Sequence, residues 1–490
     1  MATTVYKHQQ SSDEGETNAP TIESPLTQSR SSKPYPFKPY NLTPLDHTLP
    51  PCHLFMFFTL KNSGSKGIDA LKTGVSRLNA HLPFLTGVMA PSSQAGGKQN
   101  VYEVQPASAS YLEKHPMLQI EHHPELARLP PNDLLNEKFL PLPFFMPFTE
   151  PLPLLRLKAN VTKDTITLCL AHLHKAIDGG AVSVILRALA ELCKDPNAPL
   201  DALPTSPEKE EAARQYMEDF TAKEPGRPSY DLVPLPLDAP LPQEPGLMSI
   251  SRRYKFSAEK ITLLKDACNA VIADAKLIVN PSKPIQLTTN DIITAIIGLC
   301  GNRARMLAIP GRKSPPRLIM VANIRKLISL PENYAANALA AIPADYNASW
   351  LPDGVAPQGL PATLMKEDVI HLCNLAFSLR KGLNAMTKPY IKGVFTTFYD
   401  ANDWLALGPN YDSIIVSNLR WMDFFIDFGP LGKVQEYDVP ETKIGGISWV
   451  LPARNQTGKG LQPFEMRCVL ERVAMDQMEK DSLFQWISSE

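Results

Sequence analysis

The stretch that decides the reading runs from Leu154 to Lys194, LLRLKANVTKDTITLCLAHLHKAIDGGAVSVILRALAELCK. Leu155–Val161 and Thr165–His174, joined by a turn at Thr162–Asp164, read as two paired strands. Side chains alternate along a strand, which puts Ile166, Leu168, Leu170, His172 and His174 on one face. From Gly180 the spacing changes: Val184, Ala188, Leu189 and Leu192 recur three or four apart, as in a helix. The order strand, glycine-containing turn, helix leaves His174 at a strand end, where fixed backbone can present a reactive group. A histidine titrating near neutrality can act there as general base, and a structural histidine closing the strand is the plain alternative.

Upstream, Leu54–Leu60 reads as a buried strand, and Leu71, Val75, Leu78 and Leu82 mark a helix that stops at Pro83. Downstream, residues 196–248 are dense in proline and hold only a short charged helix near Glu208–Phe220. The second half predicts strands near Ser251–Phe256, Arg317–Val321, Ser413–Asn418, Gly446–Leu451 and Phe464–Leu470. Helices are expected over Ser257–Ala275, over Asn290–Leu307 with Thr289 as N-cap, and over Ala474–Trp486. The expectation is an α/β chain: a disordered tail over 1–33, a domain over 34–195, a linker over 196–248 and a second domain over 249–490.

Composition narrows the function. With 49 Lys+Arg against 50 Asp+Glu in 490 residues, the net charge of −1 argues against nucleic acid or an anionic membrane as partner. The 47 prolines are about twice the usual ~5% and point to long ordered loops. Seven dispersed cysteines without a CxxC pair read as reduced thiols in the cytoplasm. The polar N-terminus shows no apolar signal region, and no 18-residue window is continuously apolar. There is no GxSxG, no GxGxxG after a strand, no GxxxxGK[ST] and no HExxH. Gly429–Lys433 is too short for a phosphate loop. Glu121-His122-His123-Pro124-Glu125 and His47…Cys52-His53 read as loop residues rather than metal ligands.

His174-Lys175-Ala176-Ile177-Asp178-Gly179-Gly180 resembles the HxxxDG signature of the BAHD-type, coenzyme A-dependent acyltransferases, including the fungal trichothecene 3-O-acetyltransferase-like branch. Four further blocks follow that family's order. LTPLDHTLPPCHLFMFF (Leu42–Phe58) resembles its opening LSPLD segment, and LTTNDIITAIIGLCGNRAR (Leu287–Arg305) resembles its STxDxLxA…RAR helix. VANIRKLISLPENYAANAL (Val321–Leu339) is similar to its DxR block, and IVSNLRWMDFFIDFGPLGK (Ile415–Lys433) to its TSW…DFGWGK block. A carrier-bound condensation domain would need a second histidine where Leu173 stands.

The resemblance implies two chloramphenicol acetyltransferase-like domains facing each other across a solvent channel, with 196–248 as the crossover. It implies His174 as general base and direct attack on the thioester, without an acyl-enzyme. It gives Asp178 a structural role, paired with Arg325 and flanked by Gly179, in a buried ion pair shaping the turn. Asn418 falls at the Trp of TSW and becomes the expected oxyanion or acceptor contact. Asp427 and Gly429 head the DFG-type element, where Pro430-Leu431 replaces one Trp, and Asp427 is expected to be structural rather than a second base. The aromatic stretch Phe139–Phe148 reads as packing, with an acceptor channel as the alternative. The resemblance implies acyl-CoA, acetyl-CoA first, as co-substrate and a small-molecule alcohol of terpenoid or alkaloid type as acceptor. It names no CoA-contacting residue, no metal and no bound cofactor; the absence of a membrane partner is expected from charge and hydropathy, and a monomer is the default. N-acylation and a non-catalytic acyl-CoA-binding regulator are the competing readings.

Overall fold

The computed structural model describes residues 35–147, 150–222, 233–234, 246–275, 285–312, 317–345, 360–405, 407–408, 413–454 and 462–489. The tail expected over 1–33, much of the linker and Phe148 lie outside them. The strands of the two large sheets are, in chain order, β1 (His53–Lys61), β2 (Leu118–His122), β3 (Leu155–Val161), β4 (Thr165–Leu173), β5 (Ser249–Phe256), β6 (Arg317–Asn323), β7 (Leu339–Asp345), β8 (Ile414–Asn418), β9 (Glu436–Asp438), β10 (Ile447–Val450) and β11 (Phe464–Glu471). One sheet has the order β9-β1-β4-β3-β2 and the other β5-β11-β10-β8-β6-β7. The helices that matter below are α1 (Ser65–His81), α2 (Gly179–Lys194), α3 (Pro207–Ala222), α4 (Ala258–Asp274), α5 (Thr289–Ala308) and α6 (Lys366–Ala385).

Strand β4 lies between β1 and β3, antiparallel to both, and all nine of its residues are buried. That explains its unbroken run TITLCLAHL, since a strand covered on both faces has no polar side to show. Ile166, Leu168 and Leu170 face α1 and α2, while Cys169 and Ala171 pack against Phe55, Phe57, Phe139, Leu140 and Leu142. The described part of the Phe139–Phe148 stretch therefore begins as core packing.

In the second sheet, Leu318, Met320, Ile414 and Val416 pack among α4, α5 and α6. Ile319, Val321, Ile415 and Ser417 alternate with them and face the first half. Helix α5 starts one residue earlier than expected: Thr288, not Thr289, is the N-cap, closing a capping box with Asp291. The expected last helix is two short ones, Arg472–Met478 and Ser482–Ser488.

One segment crosses the expected division at 196–248. The chain after β8 leaves the second half: Leu419, Phe424, Phe428, Leu431, Val434 and Tyr437 join the first half's core. Strand β9 then pairs antiparallel with β1, Tyr437 opposite Phe58. The DFG-type element thus packs with the first half, although it was assigned to the domain 249–490. Phe424 is fully buried there, its ring 5.6 Å from Phe58 and 4.8 Å from Tyr437. Phe424→Ala should cost about 3–5 kcal/mol through the cavity it leaves. A urea midpoint close to wild type would show that this crossing segment is not tightly packed.

Candidate active site

Asp178 is the N-cap of α2, and its Oδ1 accepts the Ala181 amide at 2.7 Å. The same carboxylate receives both terminal nitrogens of Arg325 at 2.9 Å, and Ala338 N at 2.9 Å on Oδ2. Neither partner is exposed beyond 2%. Arg325 spends its remaining donors on the carbonyls of Tyr334 and Ala336 and on Asn323 Oδ1. Every oxygen of the buried acid thus has two donors, which makes the burial of both charges tolerable. Gly180 lies against the pair: a Cβ there would come within 3.0 Å of Arg325 Nη1.

His174 follows β4 directly, and its amide donates to the Cys52 carbonyl at 2.9 Å. Burial lowers its pKa to about 4, against the raising effects of Asp178 and the Ile177 carbonyl, so the ring is neutral at ordinary pH. The Nδ1 atom is buried without a hydrogen-bond partner. His172 stands edge-on to it, ring centroids 6.0 Å apart and planes at 86°. Its Nδ1 lies 2.9 Å from the Ile177 carbonyl. A carbonyl only accepts, so that nitrogen carries the proton and Nε2 holds the lone pair. Burial, chiefly, brings the His172 pKa to about 3.

Both histidines line one cavity, partly open to solvent, between the two sheets. Leu54 and Met56 of β1 wall it on one side; Ile319, Val321, Ile415 and Ser417 wall it on the other. Cys52, Trp449 and Glu441 complete the part used below. Burial pushes the Cys52 thiol up to about 12, which keeps it protonated and a poor nucleophile.

The other expected residues fall elsewhere. Asn418 sits on the opposite face of β8 from Ser417. Its Nδ2 donates to Asn290 Oδ1 on α5 at 2.6 Å and its Oδ1 accepts from Arg420 N. The Asn418 side chain is thus engaged away from the cavity, and Ser417 is the polar side chain that this strand turns to it. Asp427 Oδ1 accepts the Gly429 amide. Gly429, at φ 64°, lies against Lys194, where an added Cβ would be 2.6 Å from its Cα. Lys194 ends the 16-residue α2, so this element stands about 24 Å from the His174 turn at ~1.5 Å per residue. His123 bonds to Asn160, His53 to the Pro153 carbonyl, and His47 to the Thr43 carbonyl.

Three cavity residues escaped the sequence reading as site residues. Hydrophobic alternation does not reveal Ser417, because Ile414, Ile415 and Val416 are buried on both faces and Ser417 and Asn418 are both half-buried. Glu441 follows β9 in a stretch without periodicity, and Cys52 had drawn attention only as a metal ligand. Lys175, inside the motif, is fully buried with its Nζ 3.3 Å from the His47 carbonyl. Burial lowers its pKa to about 7, against the pull of Asp46.

Arg325→Ala should destabilise the fold by about 3–5 kcal/mol, because Asp178 would keep its charge without its bidentate partner. Asp178→Asn combined with Arg325→Met should recover part of that loss in the same denaturation assay. A single variant as stable as wild type would mean that the pair does not hold the turn. The pH dependence of stability tests His172. Below about pH 6.5 the unfolded chain protonates residue 172 while the folded chain does not until about pH 3, so stability falls across that window. His172→Gln should flatten this fall, read as urea midpoints at a series of pH values. An unchanged slope would mean that residue 172 titrates alike in both states.

No family model matches the chain. Among curated proteins it is 32% identical to the communesin N16 acyltransferase of Penicillium expansum, over 92% of this chain and 98% of the relative. It is 27% identical to the fumigaclavine B O-acetyltransferase of Aspergillus fumigatus, over 92% and 97%. Among solved structures, F. graminearum TRI101 complexed with coenzyme A and T-2 mycotoxin gives a TM-score of 0.68 at 16% identity, covering 92% of this chain and 99% of that one. Vinorine synthase gives 0.58 at 17%, covering 96% and 98%. The structural likeness shows the fold, two chloramphenicol acetyltransferase-like domains facing each other across a channel. With near-complete coverage of a relative above 30% identity, the chain belongs to the fungal, BAHD-type branch of the coenzyme A-dependent HxxxD acyltransferases.

Proposed function

We propose that the chain moves an acyl group, acetyl first, from acyl-CoA to a hydroxyl of a fungal specialised metabolite, with His174 as general base. The observation that carries this is a neutral imidazole at a strand end, facing a largely apolar cavity between two sheets, on a turn held by Asp178 and Arg325. The sequence relatives named as O-acetyltransferase and N16 acyltransferase support the reaction class.

Nδ1 of His174 is buried, so we assign the base to Nε2, which takes the hydroxyl proton as the acceptor oxygen bonds to the thioester carbonyl carbon. The carbonyl oxygen becomes an oxyanion in a cavity where few groups compete for it. We assign its donor to the Ser417 hydroxyl in place of Asn418. Collapse of the tetrahedral intermediate breaks the carbon–sulfur bond, and the imidazolium returns its proton to the CoA thiolate. Asp178, held by both terminal nitrogens of Arg325, takes no part in the proton transfer. Burial keeps His174 in its base form over the neutral range, and the nearby Asp178 charge favours the transient imidazolium. An uncharged amine could follow the same proton path, and the relative at 32% identity is named for nitrogen acylation. We also place the protein in the cytoplasm as a monomer, supported by seven cysteines that are all free thiols.

The test is thiol release from acetyl-CoA and longer acyl-CoAs against a panel of terpenoid and alkaloid alcohols. His174→Ala should lower acceptor-dependent release by ~10²–10⁴-fold while acyl-CoA binding persists. Ser417→Ala should lower kcat by ~10²-fold, and Asn418→Ala should cost less. In wild type the acid limb of kcat/KM should fall near pH 4, not 6.5. Full release in His174→Ala would refute the general-base assignment.

A further inference from the structure

Glu441 is the one formally charged side chain, among the described residues, that lines the cavity holding His174. It follows β9, where the chain returns from the first half's sheet toward β10, and it is 2% exposed. Its Oε1 accepts two backbone amides, Thr442 N and Lys443 N, each at 2.7 Å. These fix the carboxylate's orientation. Among the described residues no donor reaches Oε2, which keeps contact with solvent and is open to a donor that enters the cavity.

The nearest cation does not close that gap. Lys443 Nζ is drawn instead over the rings of Phe144, Phe145 and Phe55, at 4.4, 5.0 and 5.6 Å from their centroids, and makes no ion pair with Glu441. The other titratable groups of the wall, His172, His174 and Cys52, are uncharged, so nothing positive competes inside the cavity. Burial raises the Glu441 pKa, against the lowering effects of Lys443 and the two amides, so a ligand that brings a donor and a positive charge favours its ionised form. Equally, an ammonium entering walls of Leu54, Met56, Ile319 and Val321 needs an anion already in place. A protonated tertiary amine offers a single N–H, which matches the single open oxygen.

We infer that Glu441 is the recognition group for acceptors carrying a basic amine: Oε2 takes the ammonium N–H and leaves a hydroxyl of the same molecule to His174. This rests on the reading of the cavity as the transfer site. The attacked oxygen and the charged nitrogen belong to different parts of the acceptor, so no step of the acyl transfer changes. The amine keeps its proton, and Glu441 sets which acceptors are held.

A matched pair of probes tests this on the full-length protein. The amine is 3-quinuclidinol, protonated at neutral pH; its counterpart is the carbocyclic alcohol of the same cage, with CH in place of nitrogen. By calorimetry, wild type should bind the amine at least tenfold more tightly than the carbocycle, and Glu441→Gln should bring the two to within about threefold. Acetyl-CoA affinity measured on the same samples reports folding of the variant. Absence of the preference in wild type, binding of neither probe included, overturns the inference, as does a preference that survives Glu441→Gln. Equal weakening of both probes in the variant would reassign Oε2 to a neutral hydroxyl and overturn it too. Acyl transfer lost in His174→Ala stands apart from these outcomes, so a working transferase without amine preference would remove this inference alone.

Discussion

The Asp178 carboxylate sets the position of nearly everything that matters in this molecule. It begins helix α2, so it determines how the chain turns after His174. It also accepts from Arg325 and Ala338, which belong to the other half. Glu210 on α3 adds a second clasp, its carboxylate accepting the Ala335 amide from the same loop. Asn337 adds a third by donating to the Leu45 carbonyl. The spacing of the halves and the orientation of the turn are thus one variable, and the cavity between the sheets takes its width from it. A hydrophobic pair could fill that volume, but could not cap a helix, bind a partner loop and orient a turn together.

The cavity has an electrostatic character that follows from burial. Its histidines are neutral, and its thiol is protonated. Charge that develops on a reacting oxygen there meets few screening dipoles, so each oriented donor counts for more than it would in water. His172 contributes a fixed lone pair, because the Ile177 carbonyl decides its tautomer. Lys175 and Asp46 sit behind the turn, and burial moves both toward pKa values of about 7, away from their usual ranges in opposite directions.

Much of the fold was legible because its strong signals are local. The strand–turn–helix block at Leu154–Lys194 needed only alternation, a turn and a helical repeat, and the strand and helix limits agree to within a residue or two. The pairing of Asp178 with Arg325 came through the family resemblance, since no local pattern links residues so far apart. What stayed hidden depended on which side of a doubly buried strand a residue faces. Along Ile414–Val416 both sides are buried, so alternation does not tell that Ser417 faces the cavity while Asn418 bonds to Asn290. Glu441 was invisible for a different reason: its meaning comes from the long return of the chain between two sheets, which no window of sequence displays.

The pairing of β9 with β1 has a consequence for how the chain is made. Synthesis runs from the N-terminus, and β1, β4, β3 and β2 all emerge long before Glu436–Asp438. Until then the outer edge of β1, HLFMFFTLK, carries unpaired backbone groups beside a very apolar run. Such an edge invites pairing with another nascent chain, and contacts this distant in sequence close late. The first half can therefore fold early without being finished, and the nearly complete chain is the species most exposed to aggregation. Truncation before Glu436 would leave Phe57–Thr59 on that edge without their partner strand, however well the remaining strands were packed.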